Sequence, residues 1–290
     1  VAVLDSLEAS ADWSPFTMVA VHYDALSSEE RAFLIQDFTR RTGRPVLLLL
    51  SERSAEQDFV KLFGAHVLTN MIVINERGVD ISDLLVTVQK IRQADIFGLE
   101  KYFVWGIVPV CMDLVSSAQK ARALDAVCGF AKDIGVPSRL RALICTMADE
   151  FITNAVYNAP TDLDGRPRHA STSRLETVEL AQNERIRLCY CSDGRRFGIS
   201  VTDPFGSLDP RRLQDYLARA YRREHDQVNE TEGGAGLGFY EILDAASHLV
   251  VNIEPGRKTE MIGLIDVSGG FKNFTRAGKS FNIFVKEVSP

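Results

Sequence analysis

Asp149-Glu150-Phe151-Ile152-Thr153-Asn154-Ala155-Val156-Tyr157-Asn158-Ala159 is the stretch on which the fold of this 290-residue chain turns. It lies in a helical pattern that begins at Arg139, behind the break Gly135-Val136-Pro137-Ser138, where Ser138 is placed to cap the helix. Glu150, Asn154 and Asn158 stand at i, i+4 and i+8 and therefore share one helix face. Asn is a middling helix former, so a carboxylate and two amides among Phe, Ile and Val call for a polar partner. Mg²⁺ takes hard oxygen ligands and keeps several waters. It would suit the amide carbonyls, Asn154 first, as a bridge to phosphate oxygens. Taken alone, the same face also fits an exposed polar stripe.

Two signals lie downstream. Ile186 to Cys191 and Arg196 to Val201 alternate as strands and are joined through Ser192-Asp193-Gly194, a strong hairpin signal. The second strand runs into Thr202-Asp203-Pro204-Phe205-Gly206. A carboxylate at a strand end can accept a hydrogen bond from an exocyclic amine such as adenine N6; a turn or capping Asp is the plainer reading. The other signal is Glu232-Gly233-Gly234-Ala235-Gly236-Leu237-Gly238-Phe239-Tyr240, placed directly before a helical Glu241 to Ser247. Glycines there let backbone N–H groups approach an anion, and the helix start adds unpaired donors and a positive dipole end. The run is neither a Walker loop nor a dinucleotide fingerprint.

In this order and spacing the three features resemble the GHKL ATPase superfamily of gyrase, sensor histidine kinases and mismatch-repair ATPases. Glu150 to Ala159 looks like its N box, Asp203 onward like its G1 box, and Gly234-Ala235-Gly236-Leu237-Gly238 like its G2 box. The resemblance covers about 116–285. It implies ATP or ADP with Mg²⁺ as cofactors: Asn154 on the metal, Asp203 on adenine, and Gly234, Gly236, Leu237 and Gly238 along the phosphates. Asn158 would stand behind Asn154 or face phosphate. Thr259, in Arg257-Lys258-Thr259, matches the polar residue that follows the G2 box in the family. Glu150 matches the acidic position that serves as general base in hydrolytic members. Asp203-Pro204-Phe205-Gly206-Ser207 departs from the DxGxG pattern at both glycines, which puts the usual shape of that turn in doubt. Ser207 to Thr231, with Arg211, Arg212, Arg219, Arg222 and Arg223, would be the ATP lid.

Ser116 to Arg139 contains no His, which disfavours an intrinsic histidine-kinase core. A helix, a Gly-Val-Pro turn and an N-box helix resemble instead the anti-sigma-factor/serine-kinase branch. That implies a regulator acting on a partner protein, with serine phosphorylation as the reaction. A non-catalytic nucleotide-sensing scaffold stands as the alternative. Asp162 to Thr177 and Gly269 to Ser280 look like insertions or extra hairpins beyond the minimal branch.

The N-terminal third alternates strand and helix: Phe16 to Val21, Ser28 to Arg41, Val46 to Leu50, Ser54 to Phe63, Val67 to Ile74 and Ile81 to Ile91. Such spacing implies a doubly wound parallel sheet. Ser51 and Gly64-Ala65 resemble the later part of a response-regulator receiver domain. The match turns against phosphorylation, because the acceptor-aspartate position falls at or near His22 and Asp24 is the nearest carboxylate. Asn70 lies closest to the missing receiver lysine. A pseudo-receiver whose opening strand precedes Val1 is the expectation.

The expected architecture is α/β in two domains. An incomplete receiver-like parallel-sheet domain covers 1–94, an aromatic connector 95–115, and a two-layer α/β sandwich of GHKL type 116–290. The 46% hydrophobic content is enough for real cores and excludes a largely disordered chain. A net charge of −6 argues against a nucleic-acid phosphate track. The longest nearly apolar run, Tyr102 to Met112, falls short of the roughly 20 residues a bilayer span needs. Five cysteines without CxxC spacing read as packing thiols rather than a disulfide framework or zinc site. They fit a reducing cytoplasm, with a protein partner or a homodimer as the expected assembly and no nucleic acid or membrane.

Overall fold

The computed structural model describes residues 15–40, 46–52, 56–76, 78–162, 164–169, 171–223 and 235–286. The elements run in the order β1 (Met18–His22), α1 (Ser28–Arg40), β2 (Val46–Ser51), α2 (Glu56–Gly64), β3 (Asn70–Asn75), the short β4 (Gly78–Val79) and α3 (Ile81–Gln93). Then follow β5 (Val110–Leu114), α4 (Lys120–Asp133), α5 (Ser138–Thr153), β6 (Ile186–Ser192), β7 (Arg196–Asp203) and α6 (Pro210–Arg223). α7 (Ala235–Ala245), β8 (His248–Glu254), β9 (Lys258–Asp266), α8 (Gly270–Arg276) and β10 (Ser280–Val285) complete it. The fold is mixed α/β, and its N-terminal strands and helices fall where the hydrophobic periodicity puts them.

All ten strands join one sheet, in the order β1-β2-β3-β10-β8-β9-β7-β6-β5 with β4 hanging on β3. β1, β2 and β3 are parallel, and the central β2 has the near-continuous buried apolar run of a strand covered on both faces. The two halves are not separated by a solvated gap: β3 pairs antiparallel with β10, Asn70 opposite Asn282. Both side chains are buried, and Asn282 Nδ2 donates to Asn70 Oδ1 at 2.9 Å. Asn70 thus secures the seam between the halves and sits at the start of its strand. A receiver lysine would stand at the other end, beyond Asn75. β5, within the stretch expected to be connector, is an edge strand of the sheet, paired with β6.

Alternation along the strands gives each face its own core. Leu249, Val251 and Ile253 of β8 join a large cluster with α1, α2, α4, α5 and α7, while Val250 faces a smaller cluster on the other side. That smaller cluster is built by the aromatic connector. Ile96, Leu99, Tyr102 and Phe103 are buried there, and a Cβ on Gly198 would meet the Phe103 ring at 2.6 Å. The connector is therefore packing material up to Phe103, whereas Val104, Trp105 and Val108 are exposed.

A polar seam holds α3 to this face. Asp80 caps α3 by accepting from Ser82 and Asp83 N–H groups, and Ala94 ends it in the left-handed conformation. Arg196 of β7 grips buried Asp83 with two hydrogen bonds of 2.6 and 2.9 Å. Burial pushes the Asp83 pKa up, but His248 and Arg196 outweigh it and hold the carboxyl below its ordinary range. Two turns on, Lys90 Nζ donates to Asn252 Oδ1, and Asn252 donates to Glu260, all buried. Burial is the main cause that brings the Lys90 pKa down to about 7.

The cysteine expectation is corrected. Cys111 and Cys189, directly opposite on β5 and β6, form a disulfide, and Cys128 of α4 is bonded to Cys145 of α5. Sequence spacing carries no trace of which thiols the fold brings face to face. Only Cys191 remains a buried packing thiol, its pKa pushed up to about 12 by burial. Among the described residues, no helix is long and apolar enough to cross a membrane.

Candidate functional site

The site is built on the end of α5. The α-helix runs to Thr153, and Asn154–Asn158 continue as a wider π turn closed by Ala159 N–H donating to Asn154 O at 2.9 Å. Such turns occur frequently at functional positions. Asn158 Nδ2 donates to Asn154 Oδ1 at 2.8 Å, which fixes the Asn154 amide and leaves its oxygen a second lone pair. Glu150, one turn earlier, is half-buried. Burial raises its pKa, the negative charges of Glu241 and Asp149 raise it further, and Lys120 and Arg174 oppose the shift.

Asp203 closes β7 and is 6% exposed. It accepts from Phe205 N–H at 2.9 Å, yet burial dominates and brings its pKa up to about 7. Directly across on β9 stands Thr259. Its hydroxyl lies close enough to favour the Asp203 carboxylate, but closes no hydrogen bond of acceptable geometry and is left a buried polar atom without a partner. Unsatisfied buried hydroxyls are rare in folded proteins. The ends of β7 and β9 thus set a carboxyl with a pKa near neutrality beside a hydroxyl, a donor and an acceptor side by side.

The departure from the expected glycine pattern after Asp203 has a structural answer. Gly206 has φ +59, and a Cβ there would overlap Glu254 O and meet the Arg257 and Lys258 nitrogens of the β8–β9 turn. The turn has its glycine at the third position after Asp203, between the second and fourth positions where the resembled pattern has them. Gly256 N–H donates to Gly206 O, and Ser207 Oγ donates to Ala159 O at 2.7 Å, tying this turn to the residue that follows the π turn at the end of α5.

Gly234 lies outside the described residues. Gly236, Leu237 and Gly238 fall in the first turn of α7, which packs on α5. A Cβ on Gly238 would overlap the Glu150 carboxylate, so the acid of one motif lies against the glycine of another. The end of β7 also touches the π turn. Among the described residues, Asn154 and Asn158 are bonded at the end of α5, Glu150 lies against Gly238, and the strands that carry Asp203 and Thr259 pack on α5. Of the arginines in the segment expected to be a lid, Arg211 and Arg212 are exposed and Arg219 lies over Tyr216 at 4.7 Å. α6 docks on α2, and its Gln214 bonds Leu68 O and His66 in the segment that follows α2.

Sequence reasoning missed a cavity of about 430 Å³ beside Glu150. Its wall comes from Asp149, Thr153 and Tyr157, one position to the side of the N-box face, and from Lys120 and Arg174. Lys120 Nζ bridges Asp149 at 2.8 Å and Thr153 Oγ1 at 2.7 Å. The 149/153/157 spacing of four was readable as a second polar helix face; Lys120 and Arg174 carried no signal.

No protein-family model matches the chain, and no match was found among curated proteins.

Proposed function

We propose that the chain binds Mg·ATP in the manner of the GHKL superfamily and acts on a partner protein by phosphorylating a serine, as anti-sigma-factor kinases do. The observation that carries this reading is the buried Asp203 carboxyl beside the orphaned Thr259 hydroxyl. The pair suits the amine and ring nitrogen of adenine. Asn154, its oxygen oriented by Asn158, fits Mg²⁺ as a neutral ligand that leaves the remaining positions to waters and phosphate oxygens. Among the described residues no cluster of three or more His, Cys, Asp or Glu could hold a metal on protein ligands alone, in keeping with a metal that arrives with the nucleotide. Bound there, Mg²⁺ would neutralise charge on the phosphates. Glu150, with its raised pKa, is suited to take a proton, and the first turn of α7 offers backbone donors to phosphate oxygens. A protein target, a second copy of the chain included, belongs to the same reading; a cytoplasmic setting loses the support of free thiols, since four of the five cysteines are disulfide-bonded.

The docking of α6 on α2 favours a second reading, a nucleotide-sensing scaffold in which the lid position alone is the output. Calorimetry with Mg·ATP decides the common ground. Wild type binds, and Asn154→Ala loses the Mg²⁺-dependent part of the affinity. No binding by wild type overturns both readings. Turnover to ADP that disappears in Glu150→Gln excludes the scaffold.

A further inference from the structure

The cavity beside Glu150 is walled on its outer side by Arg174 to Thr177, the end of the 162–177 insertion. Glu150 stands between two environments, touching Gly238 at the start of α7 and lining this cavity. On the nucleotide reading the phosphates lie on the Gly238 side, so the cavity opens where a nucleophile would approach. Its lining carries the carboxylates of Asp149, Glu150 and Glu176 as well as the cations Lys120 and Arg174, and these charges are not equivalent. Lys120 is engaged by Asp149 and Thr153. Arg174 is exposed, stacks its guanidinium over the Tyr157 ring at 3.8 Å, and acts on the Glu150 charge without closing an ion pair among the described residues. The stack holds the guanidinium in place at the rim. A volume of about 430 Å³ falls within the roughly 300–1,000 Å³ typical of small-ligand pockets and suits the tip of a peptide loop.

We infer that this cavity is the acceptor pocket of the phosphoryl transfer. It takes a serine or threonine of a partner protein whose adjacent residue is acidic, with Glu150 receiving the hydroxyl proton and Arg174 pairing with the neighbouring carboxylate. The inference rests on the nucleotide reading above. In the step, the hydroxyl oxygen forms a bond to the γ-phosphorus while the bond from that phosphorus to the β–γ bridging oxygen breaks. ADP leaves with the electron pair of that bond, and the hydroxyl proton passes to the Glu150 carboxylate and then to solvent. Arg174 contributes specificity and takes no part in the bond changes.

The test uses the full chain, γ-labelled Mg·ATP and three sets of eleven-residue peptides with one central Ser flanked by Asp, Ala or Lys. Wild type labels the Asp-flanked set preferentially. Arg174→Ala lowers kcat/KM on that set by about tenfold, the loss of one charge-assisted contact. The loss appears in KM, and calorimetric affinity for Mg·ATP does not change. Arg174→Glu transfers the preference to the Lys-flanked set. Equal labelling of the three sets, or an equal loss on all of them in Arg174→Ala, overturns the inference. So does formation of ADP with no peptide labelled, because water is then the acceptor. If Mg·ATP itself does not bind, the nucleotide reading falls first and takes this inference with it, an outcome the calorimetry reads separately.

Discussion

Replacing Asp203 by Asn tests the site at its most buried charge. In the folded protein the carboxyl holds its proton to about pH 7 because burial outweighs the Phe205, Gly206 and Thr259 contacts that favour the anion. In the unfolded chain it ionises near pH 3.9. The folded pKa lies above the unfolded one, so wild type is most stable in this respect below about pH 4. That stability falls as pH rises to about 7 and is level beyond it. Three pH decades at about 1.4 kcal/mol each set the loss at about 4 kcal/mol as an upper bound. Asn has the same shape, keeps an acceptor for Phe205 N–H, and can donate to the orphaned Thr259 Oγ1. Urea denaturation between pH 4.5 and 8.5 should therefore show Asp203→Asn close to wild type at the acid end and more stable by up to about 4 kcal/mol at pH 8. The same carboxyl reports on function. An adenine amine donating to it favours the anion, so Mg·ATP binding at pH 7 releases about half a proton, read from titrations in two buffers of different ionisation enthalpy. Parallel stability profiles for the two proteins would refute the assignment of a neutral, buried Asp203.

Arg196→Met leaves the Asp83 carboxylate buried without its bidentate partner; the expected cost is about 3–5 kcal/mol by urea denaturation, largely recovered in Arg196→Met/Asp83→Leu. Because Asp83 is held below its ordinary range, wild type gains this stability above about pH 4 and loses it as pH falls further, whereas the double variant lacks that acid limb. Gly238→Ala drives a methyl into the Glu150 carboxylate, the far end of a flexible side chain, so that carboxylate must swing aside. Turnover of Mg·ATP should drop by about tenfold with affinity little changed, while Gly256→Ala, where a Cβ meets open space but φ is +69, costs stability and leaves turnover unchanged.

The strands and helices of the N-terminal half were legible because apolar runs and periodic faces declare themselves locally. Asp203, Thr259, Glu150 and Asn154 were legible as residue types out of place: polar groups at a strand end, or among Phe, Ile and Val. What the sequence hid is which segments meet. Nothing local to Asn70 or Asn282 says that they bond across 212 residues and make two sheets one. Nothing near Cys111 names Cys189 as its partner on β6. The displaced glycine was visible as Gly206, but only the approach of the β8–β9 turn shows why a glycine is required there. Lys120 opens the helix α4 and Arg174 lies in a segment without periodicity, and their meeting beside Tyr157 and Asp149 is a product of the tertiary fold alone.

The single sheet also limits how the halves can communicate. A hinge between them would have to break the β3–β10 pairing and pull α3, with Asp83 and Lys90, from its buried partners. β9 bears on both sides of this arrangement, since Thr259 serves the Asp203 site and its neighbour Glu260 accepts from Asn252 and from Gly98 N–H on the opposite face. The other link is α6. Its Gln214 is 3% exposed and is held by Leu68 O at 2.8 Å and by His66 at 3.1 Å. For α6 to leave α2 it must unpair that amide, at about 1–3 kcal/mol, and uncover Leu213 and Leu217, both fully buried, at about 1.5–3 kcal/mol each. That total exceeds the roughly 1–3 kcal/mol by which allosteric ligands shift equilibria. On the nucleotide reading, then, the N-terminal half acts on the site by holding α6 docked and not by releasing it or by changing its own orientation.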